Sequence, residues 1–249
     1  MPTYRDQAIV LHTTRLGEAD RIITMLTRDY GKVRAVAKGI RKTTSRFGAR
    51  LEPLNLVDVQ LHEGRNLDTV TGVETVAAFG AKASQDYPLW TAGLAMAETA
   101  DRIISADKEP ANAQFLLLYG GLRNLVDELH APGLVLDAFL IRSMALAGWA
   151  TSFDNCAKCD APGPHGWFSI TNGGALCGDC RIPGSATPAP ETLSLLGALL
   201  SGNWAVADSS LEKNRKEATG LVAAHLQWHL EREVRSLKHV ERRKVEDFG

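Results

Sequence analysis

The most chemically specific residues in this 249-residue chain are its four cysteines, all of which fall between positions 156 and 180. They read Cys156-Ala-Lys-Cys159 and, after a spacer of seventeen residues, Cys177-Gly-Asp-Cys180. Two residues between thiols let both sulfurs of one turn point at a common centre. A second such turn completes a tetrahedron, and the spacer lies in the zinc-ribbon range. Small residues around the turns (Ala157, Gly173, Gly174, Gly178) let the backbone curl about an ion. The pattern predicts a structural Zn2+ site of four thiolates. A rubredoxin-type iron centre, a pair of disulfides and a redox dithiol can share this spacing. A closed four-thiolate site has no open coordination position, so no reaction is expected at the metal. Trp167 and Phe168, between the turns, are expected to form the ribbon's small apolar centre. His165 and Asp179 are expected on the surface or hydrogen-bonded around the ligands.

The second chemically loaded stretch is basic. Residues 28–50 hold eight Lys and Arg against one acid, Asp29. Lys and Arg neutralise phosphates and release counterions, so such a run suits a groove that tracks a nucleic-acid backbone. The candidate phosphate contacts are Lys32, Arg34, Lys38, Arg41, Lys42, Arg46 and Arg50. Thr43 and Ser45 could add neutral contacts, and Phe47 and Tyr30 could stack on bases or pack in the fold. The competing structural reading is a solvated strand face followed by a polar loop.

Enzymatic signatures are missing where they would be sought. Gly31-Lys32 precedes Val33 rather than Ser or Thr, and position 26 is Leu rather than Gly, so this is no phosphate-binding P-loop. His225 and His229 are four apart, but Leu226 stands where a metalloprotease needs its Glu. Two histidines on an apolar stripe are read as packed core. Four thiolates would leave no catalytic position for a zinc deaminase, and no Gly-x-Ser-x-Gly occurs. No catalytic residue is assigned, and a non-catalytic binding protein is expected.

These residues need a scaffold to position them. Residues 4–76 read as five short strands, near Gln7–His12, Arg21–Thr27, Lys32–Lys38, Leu54–Leu61 and Leu67–Val76. The third alternates polar and apolar, with Lys32, Arg34 and Lys38 on the wet face. Five strands in so short a span predict a small barrel, of the oligonucleotide-binding (OB) or SH3-like type. From residue 84 the pattern turns helical. Helices are expected at Leu89–Ser105, Asn112–His130 and Leu134–Ala147, the last capped by Gly148, then at Pro190–Ser201 and from Leu211 to about Val240. The second helix carries an apolar stripe of Phe115, Leu118, Leu122, Leu125 and Leu129. The last carries one from Ala218 to Leu237, then a basic tail with Arg242, Arg243 and Lys244. The expected fold is α+β. Residues 1–80 form an OB-type barrel, and residues 81–249 form a helical domain with the ribbon inserted at 150–185.

Totals add constraints. Net charge is −1 and 45% of residues are hydrophobic, which supports a packed globular core. The near-zero charge hides an asymmetry. Residues 1–50 carry eleven basic and four acidic residues, whereas 51–130 carry five and twelve. A basic module joined to an acidic one implies a defined electrostatic face. Clustered cysteines suit a reducing cytosol. The first residues lack the apolar run of a signal peptide. Asp137 and Arg142 interrupt the longest apolar stretch, so no membrane span is expected.

The segment from Ala8 to Lys42, AIVLHTTRLGEADRIITMLTRDYGKVRAVAKGIRK, is followed by helices interrupted by the paired Cys-x2-Cys turns. Across its whole length the chain resembles the RecO family of DNA repair and recombination mediators. The Gly17-Glu18-Ala19-Asp20 and Gly31–Lys42 segments are the most specific parts. The resemblance implies a bacterial, cytoplasmic, nucleoid-associated protein that binds single- and double-stranded DNA and anneals complementary strands. It further implies that, with RecR, the protein helps load the RecA recombinase onto DNA coated by single-stranded-DNA-binding protein (SSB). The acidic, apolar tail of SSB implies a helical-domain pocket with apolar walls and a basic rim. A zinc-ribbon transcription or translation factor, using the same barrel for RNA, is the alternative.

Overall fold

The computed structural model describes residues 2–43, 45 and 47–230. Two compact units emerge, residues 1–127 and 128–249. A division at residue 80 separates strands from helices, but by packing the first three helices group with the barrel.

In the first unit, strand alternation does the folding. Strands β1 (Thr3–Leu16), β2 (Asp20–Thr27), β3 (Gly31–Ala37), β4 (Leu56–His62) and β5 (Asp68–Ala77) close in the order β1-β2-β3-β5-β4. Four pairings are antiparallel. The fifth, β3 with β5, is parallel and spans only Ala35–Asp68 and Val36–Thr69. This is the five-stranded connectivity of an OB barrel, as the strand pattern predicts. Every second residue faces inward, among them Val10, Ile23, Met25, Val33, Ala35, Val59 and Leu61. A 3-10 turn at Gly48–Leu51 closes one end, and Phe47, only 3% exposed, packs into the core beside Ile40 and Leu51. Phe47 is therefore part of the barrel interior and cannot stack on a base.

Helices α1 (Phe79–Ala83), α2 (Tyr87–Ile103) and α3 (Asn112–Val126) pack outside the strands. Helix α2 starts where Asp86 accepts a hydrogen bond from the Leu89 amide and Pro88 fits the first turn. Its small residues, Ala92, Ala95 and Ala100, are fully buried, and the helix lies against β1. Helix α3 ends at Val126, earlier than expected. Glu128 takes a left-handed φ of 50°, and Leu129, expected on the apolar stripe, is 61% exposed beyond the helix end.

After α2 the chain returns along β3. The Lys108 amide donates to the Lys32 carbonyl at 2.8 Å. A Cβ on Gly31, whose φ is +70°, would lie 1.7 Å from the Glu109 carbonyl oxygen, so this approach requires glycine. Lys108 then reaches Asp68, which is 1% exposed at the parallel seam. Asp68 also accepts from the Tyr4 hydroxyl (2.6 Å) and the Gly64 amide (3.0 Å). Burial alone would raise the carboxyl's pKa, but these donors outweigh it and hold the pKa below the ordinary carboxylate value.

The second unit is organised by α4 (Pro132–Leu146), which is buried on nearly every face. Its two charged residues act as internal tethers. Asp137 accepts from the Thr219 hydroxyl at 2.7 Å. Arg142 donates to the Leu199 carbonyl (2.7 and 3.0 Å) and the Leu200 carbonyl (3.2 Å), at the C-terminal end of α5 (Pro190–Ser201). The other end of α5 is held by Glu217 of α7 (Glu212–Leu230), which accepts from the Ala189 amide and the Thr192 hydroxyl. A short helix, α6 (Trp204–Asp208), joins α5 to α7. His225 is 2% exposed, and among the described residues neither ring nitrogen has a hydrogen-bond partner. Burial, helped by neighbouring His229, lowers its pKa, as fits a neutral core residue rather than a ligand. The expected basic tail, including Arg242, Arg243 and Lys244, lies outside the described residues.

The Asp68 clasp yields a test of stability. A carboxyl whose folded pKa is depressed contributes stability above its unfolded pKa, near 4, and loses it as pH falls through the folded value. Lys108→Met should therefore move the acid-unfolding midpoint to higher pH, measured by circular dichroism. Asp68→Ala, which strands the three donors, should cost roughly 2–4 kcal/mol by urea titration.

Candidate nucleic-acid interface and metal centre

The four cysteines come together. The first turn is closed by Cys156 N–H to Ala161 O and Asp160 N–H to Cys156 O, both 2.8 Å. The second is closed by Cys180 and Arg181 amides donating to the Cys177 carbonyl at 3.2 and 3.1 Å. A two-stranded hairpin, β6 (Trp167–Ser169) with β7 (Gly174–Leu176), holds the turns in register. Glycine is needed at 174, where a Cβ would lie 2.2 Å from the Ser152 carbonyl oxygen. All four sulfurs lie within 4.8 Å of one another. A tetrahedral ion with metal–sulfur bonds of about 2.3 Å has sulfur–sulfur edges of about 3.8 Å. The Cys159–Cys177 separation is 3.8 Å, so the donor set fits such an ion.

The protonation chemistry fits as well. The Cys177 amide donates to the Cys156 sulfur at 3.4 Å and, with other backbone amides, draws that thiol down to about 6. Cys180 is pushed up to about 12, chiefly by hydrogen bonding among the neighbouring thiols Cys159 and Cys177. The amide donors favour the thiolate at Cys156, and a cation at the centre would favour ionisation of the remaining thiols. Around the site Phe168 is buried and stacks with Phe153, with centroids 6.3 Å apart. Trp167 is only partly buried and carries the Arg181 guanidinium over its ring at 5.4 Å. His165 meets the Ala161 carbonyl at 2.8 Å, and Asp179 is exposed.

The basic residues are dispersed rather than gathered into one groove. Lys32 is partly buried, its ammonium 2.9 Å from the Asp101 carbonyl and 3.3 Å from the Asp101 carboxylate. Arg34 pairs with Asp107 at 2.7 Å. The acids that hold them come from the last turn of α2 (Asp101) and from the segment that follows it (Asp107). Their partners lie about seventy positions downstream, and the only sequence signal for them is the acidic bias of residues 51–130. His12 approaches Asp101 from the same side, at 3.4 Å. Lys38 and Lys42 are exposed and make no ion pair among the described residues. Arg41 is exposed and donates to the Glu18 carbonyl at 2.8 Å, and Arg50 is exposed with a long contact to the Phe47 carbonyl, 3.5 Å. Arg46 lies outside the described residues. Tyr30 is 44% exposed and packs its ring on Tyr4, with centroids 4.6 Å apart.

Barrel and ribbon together define an OB-fold protein with a helical unit and a four-cysteine cluster that could hold a metal ion. Comparison with known proteins narrows this further. The model of the Recombination protein O N-terminal domain matches residues 1–79, and that of the C-terminal domain matches residues 84–238. A DNA repair protein RecO from Nocardioides sp. strain JS614 is 60% identical over 242 residues, covering 96% of this chain and 99% of that protein. DNA repair proteins RecO from Thermobifida fusca and Streptomyces coelicolor are 57% and 54% identical, each covering 97% of this chain and all of the relative. The chain belongs to the RecO family, and its role is in DNA repair.

The metal centre makes a direct prediction. Protein purified without chelator should carry one tetrahedral metal ion per chain by elemental analysis. Cys156→Ser or Cys177→Ser should drop that content below half and lower the unfolding temperature of the second unit. Metal affinity should fall as pH drops, because protons compete for the thiolates.

Proposed function

We propose that this chain is a non-enzymatic DNA-binding mediator of recombinational repair. It binds single- and double-stranded DNA, anneals complementary strands and, with RecR, helps load RecA onto SSB-coated single strands at the bacterial nucleoid. The observation that carries this reading is an OB barrel, in a RecO-family chain, with cations at one end that no acid pairs with among the described residues. The turn at residues 38–42 is tied to the turn at 17–20 by hydrogen bonds from the Gly39 amide to Asp20 (2.7 Å) and from the Arg41 amide to the Ala19 carbonyl (3.0 Å). Lys38, Arg41 and Lys42 are thereby presented on a fixed surface. Complementary strands repel through their phosphates. A basic surface screens that repulsion, and base pairing supplies the driving energy, so no nucleotide hydrolysis is needed.

The occupant of the four-cysteine site in this reading is Zn2+, with a structural role, held by Cys156, Cys159, Cys177 and Cys180. The SSB tail is assigned to a small cavity of about 130 Å3 lined by Pro132, Leu134, Arg215 and Lys216 together with Asp137 and Glu212, the last 3.9 Å from Lys216. Its apolar wall would take an apolar side chain, and Arg215 and Lys216 would face the acidic residues.

Replacing Lys38, Arg41 and Lys42 together by Glu should abolish salt-sensitive annealing of complementary oligonucleotides while leaving the circular dichroism spectrum unchanged. Unaltered annealing by that variant would remove the barrel end from the mechanism. Lys216→Glu should weaken binding of a fluorescent SSB-tail peptide by about tenfold. An unchanged affinity would exclude this cavity.

A further inference from the structure

The barrel carries cations on two opposite faces, and strand register assigns each residue to one of them. Thr24 of β2 stands between His12 and Arg34. Lys32, Arg34 and His12 share the outer face, where Asp101 and Asp107 engage them. The next residues in phase face the other way: Ile23, Met25, Ala35 and Ala37 belong to the core. A bulge between Val10 and His12 resets the phase of β1, so that Thr13 pairs with Ile23 and Arg15 with Arg21. Arg21 in turn pairs with Ala37. Arg15 and Arg21 therefore lie on the inner face of the β1–β2 hairpin, where the strands run past the packed core.

Like charges directly opposite on adjacent strands repel. Glu52 relieves part of this, meeting Arg21 at 3.0 Å with a half-exposed side chain. Arg15 is exposed and has no ion pair among the described residues. Of the nearby acids, Asp20 accepts from the Gly39 amide at 2.7 Å, and Glu18 is exposed in the connecting turn. The Arg41 guanidinium donates to the Glu18 carbonyl, which fixes the Lys38–Lys42 turn at this same barrel end.

Resting on the DNA-binding reading, we infer that Arg15 and Arg21 clamp a backbone phosphate of single-stranded DNA and extend the Lys38–Lys42 surface, whereas Lys32 and Arg34 serve the fold and not the ligand. Guanidinium groups offer paired N–H donors that match phosphate oxygens. A phosphate between the two arginines would remove the cross-strand repulsion. Glu52 is the internal anion that the phosphate displaces from Arg21. This assigns DNA contact to residues outside the basic run at 28–50 and withdraws it from two residues within that run.

The test is fluorescence anisotropy of a labelled oligothymidylate across a salt series, with wild-type protein, Arg15→Gln, Glu52→Gln and Arg34→Gln, each checked for folding by thermal denaturation. Loss of one phosphate contact should weaken binding at every salt concentration and reduce the log–log salt slope by about one. Arg15→Gln should show that change. Glu52→Gln should bind more tightly than wild type, the opposite of a merely structural loss. Arg34→Gln should keep the wild-type slope, with at most a small drop in unfolding temperature. A wild-type slope for Arg15→Gln, or a reduced slope for Arg34→Gln, would overturn the inference while leaving DNA binding intact. Failure of the wild type to bind single strands at low salt would overturn the DNA-binding reading and this inference with it.

Discussion

The barrel closes through its weakest seam. β3 and β5 share only two residue pairs, and Asp68 sits at that junction. A nearly inaccessible carboxylate there would be costly alone, but it gathers a hydroxyl from β1, an amide from the turn before β5 and an ammonium from the segment after α2. Gly31 permits the close approach that brings this segment alongside β3. The end of α2 and this segment supply Asp101 and Asp107 to Lys32 and Arg34. One return of the chain thus seals the barrel, anchors the helices to it and determines which basic residues remain available.

Legibility in the sequence followed the range of the interactions. The cysteine quartet was readable because each pair is local and thiolates have few other uses at such spacing. The strands were readable because alternation is a local property, and four of the five expected spans fall within two residues of the observed limits; β1 alone runs well beyond its predicted core, from Thr3 to Leu16. What escaped depended on distant partners. Phe47, flanked by basic and polar residues, could equally stack on a base or pack inward, and only the fold decides, burying it in the cluster with Ile40 and Leu51. Lys32 and Arg34 alternate as a wet face should, yet acids about seventy positions later cover that face. Leu129 continues a helical stripe on paper, but the left-handed backbone at Glu128 has already ended the helix.

The two units place charge differently. In the first, apart from the buried Asp68 and the largely buried Lys32, acids and bases form pairs at the surface of a barrel, where solvent screens them and single pairs contribute little. In the second, the charged residues of α4 point into the interior, and each meets a defined polar group: Asp137 a hydroxyl, Arg142 two carbonyls. The four sulfurs extend this logic, since a cation at their centre would relieve their crowding.

Helix α5 shows what such placement adds. Its buried face is almost all leucine and alanine, side chains that would pack about as well with the helix running the other way. Glu217 meets its amino end and Arg142 its carboxyl end. Inverting the helix would set a carboxylate against exposed carbonyls and a guanidinium against exposed amides, at a cost of about 1 kcal/mol or more at each end. The leucines make the helix bury itself; the two charges make it directional. The polarity of this layer is thus specified by two side chains from neighbouring helices rather than by the hydrophobic pattern of the helix itself.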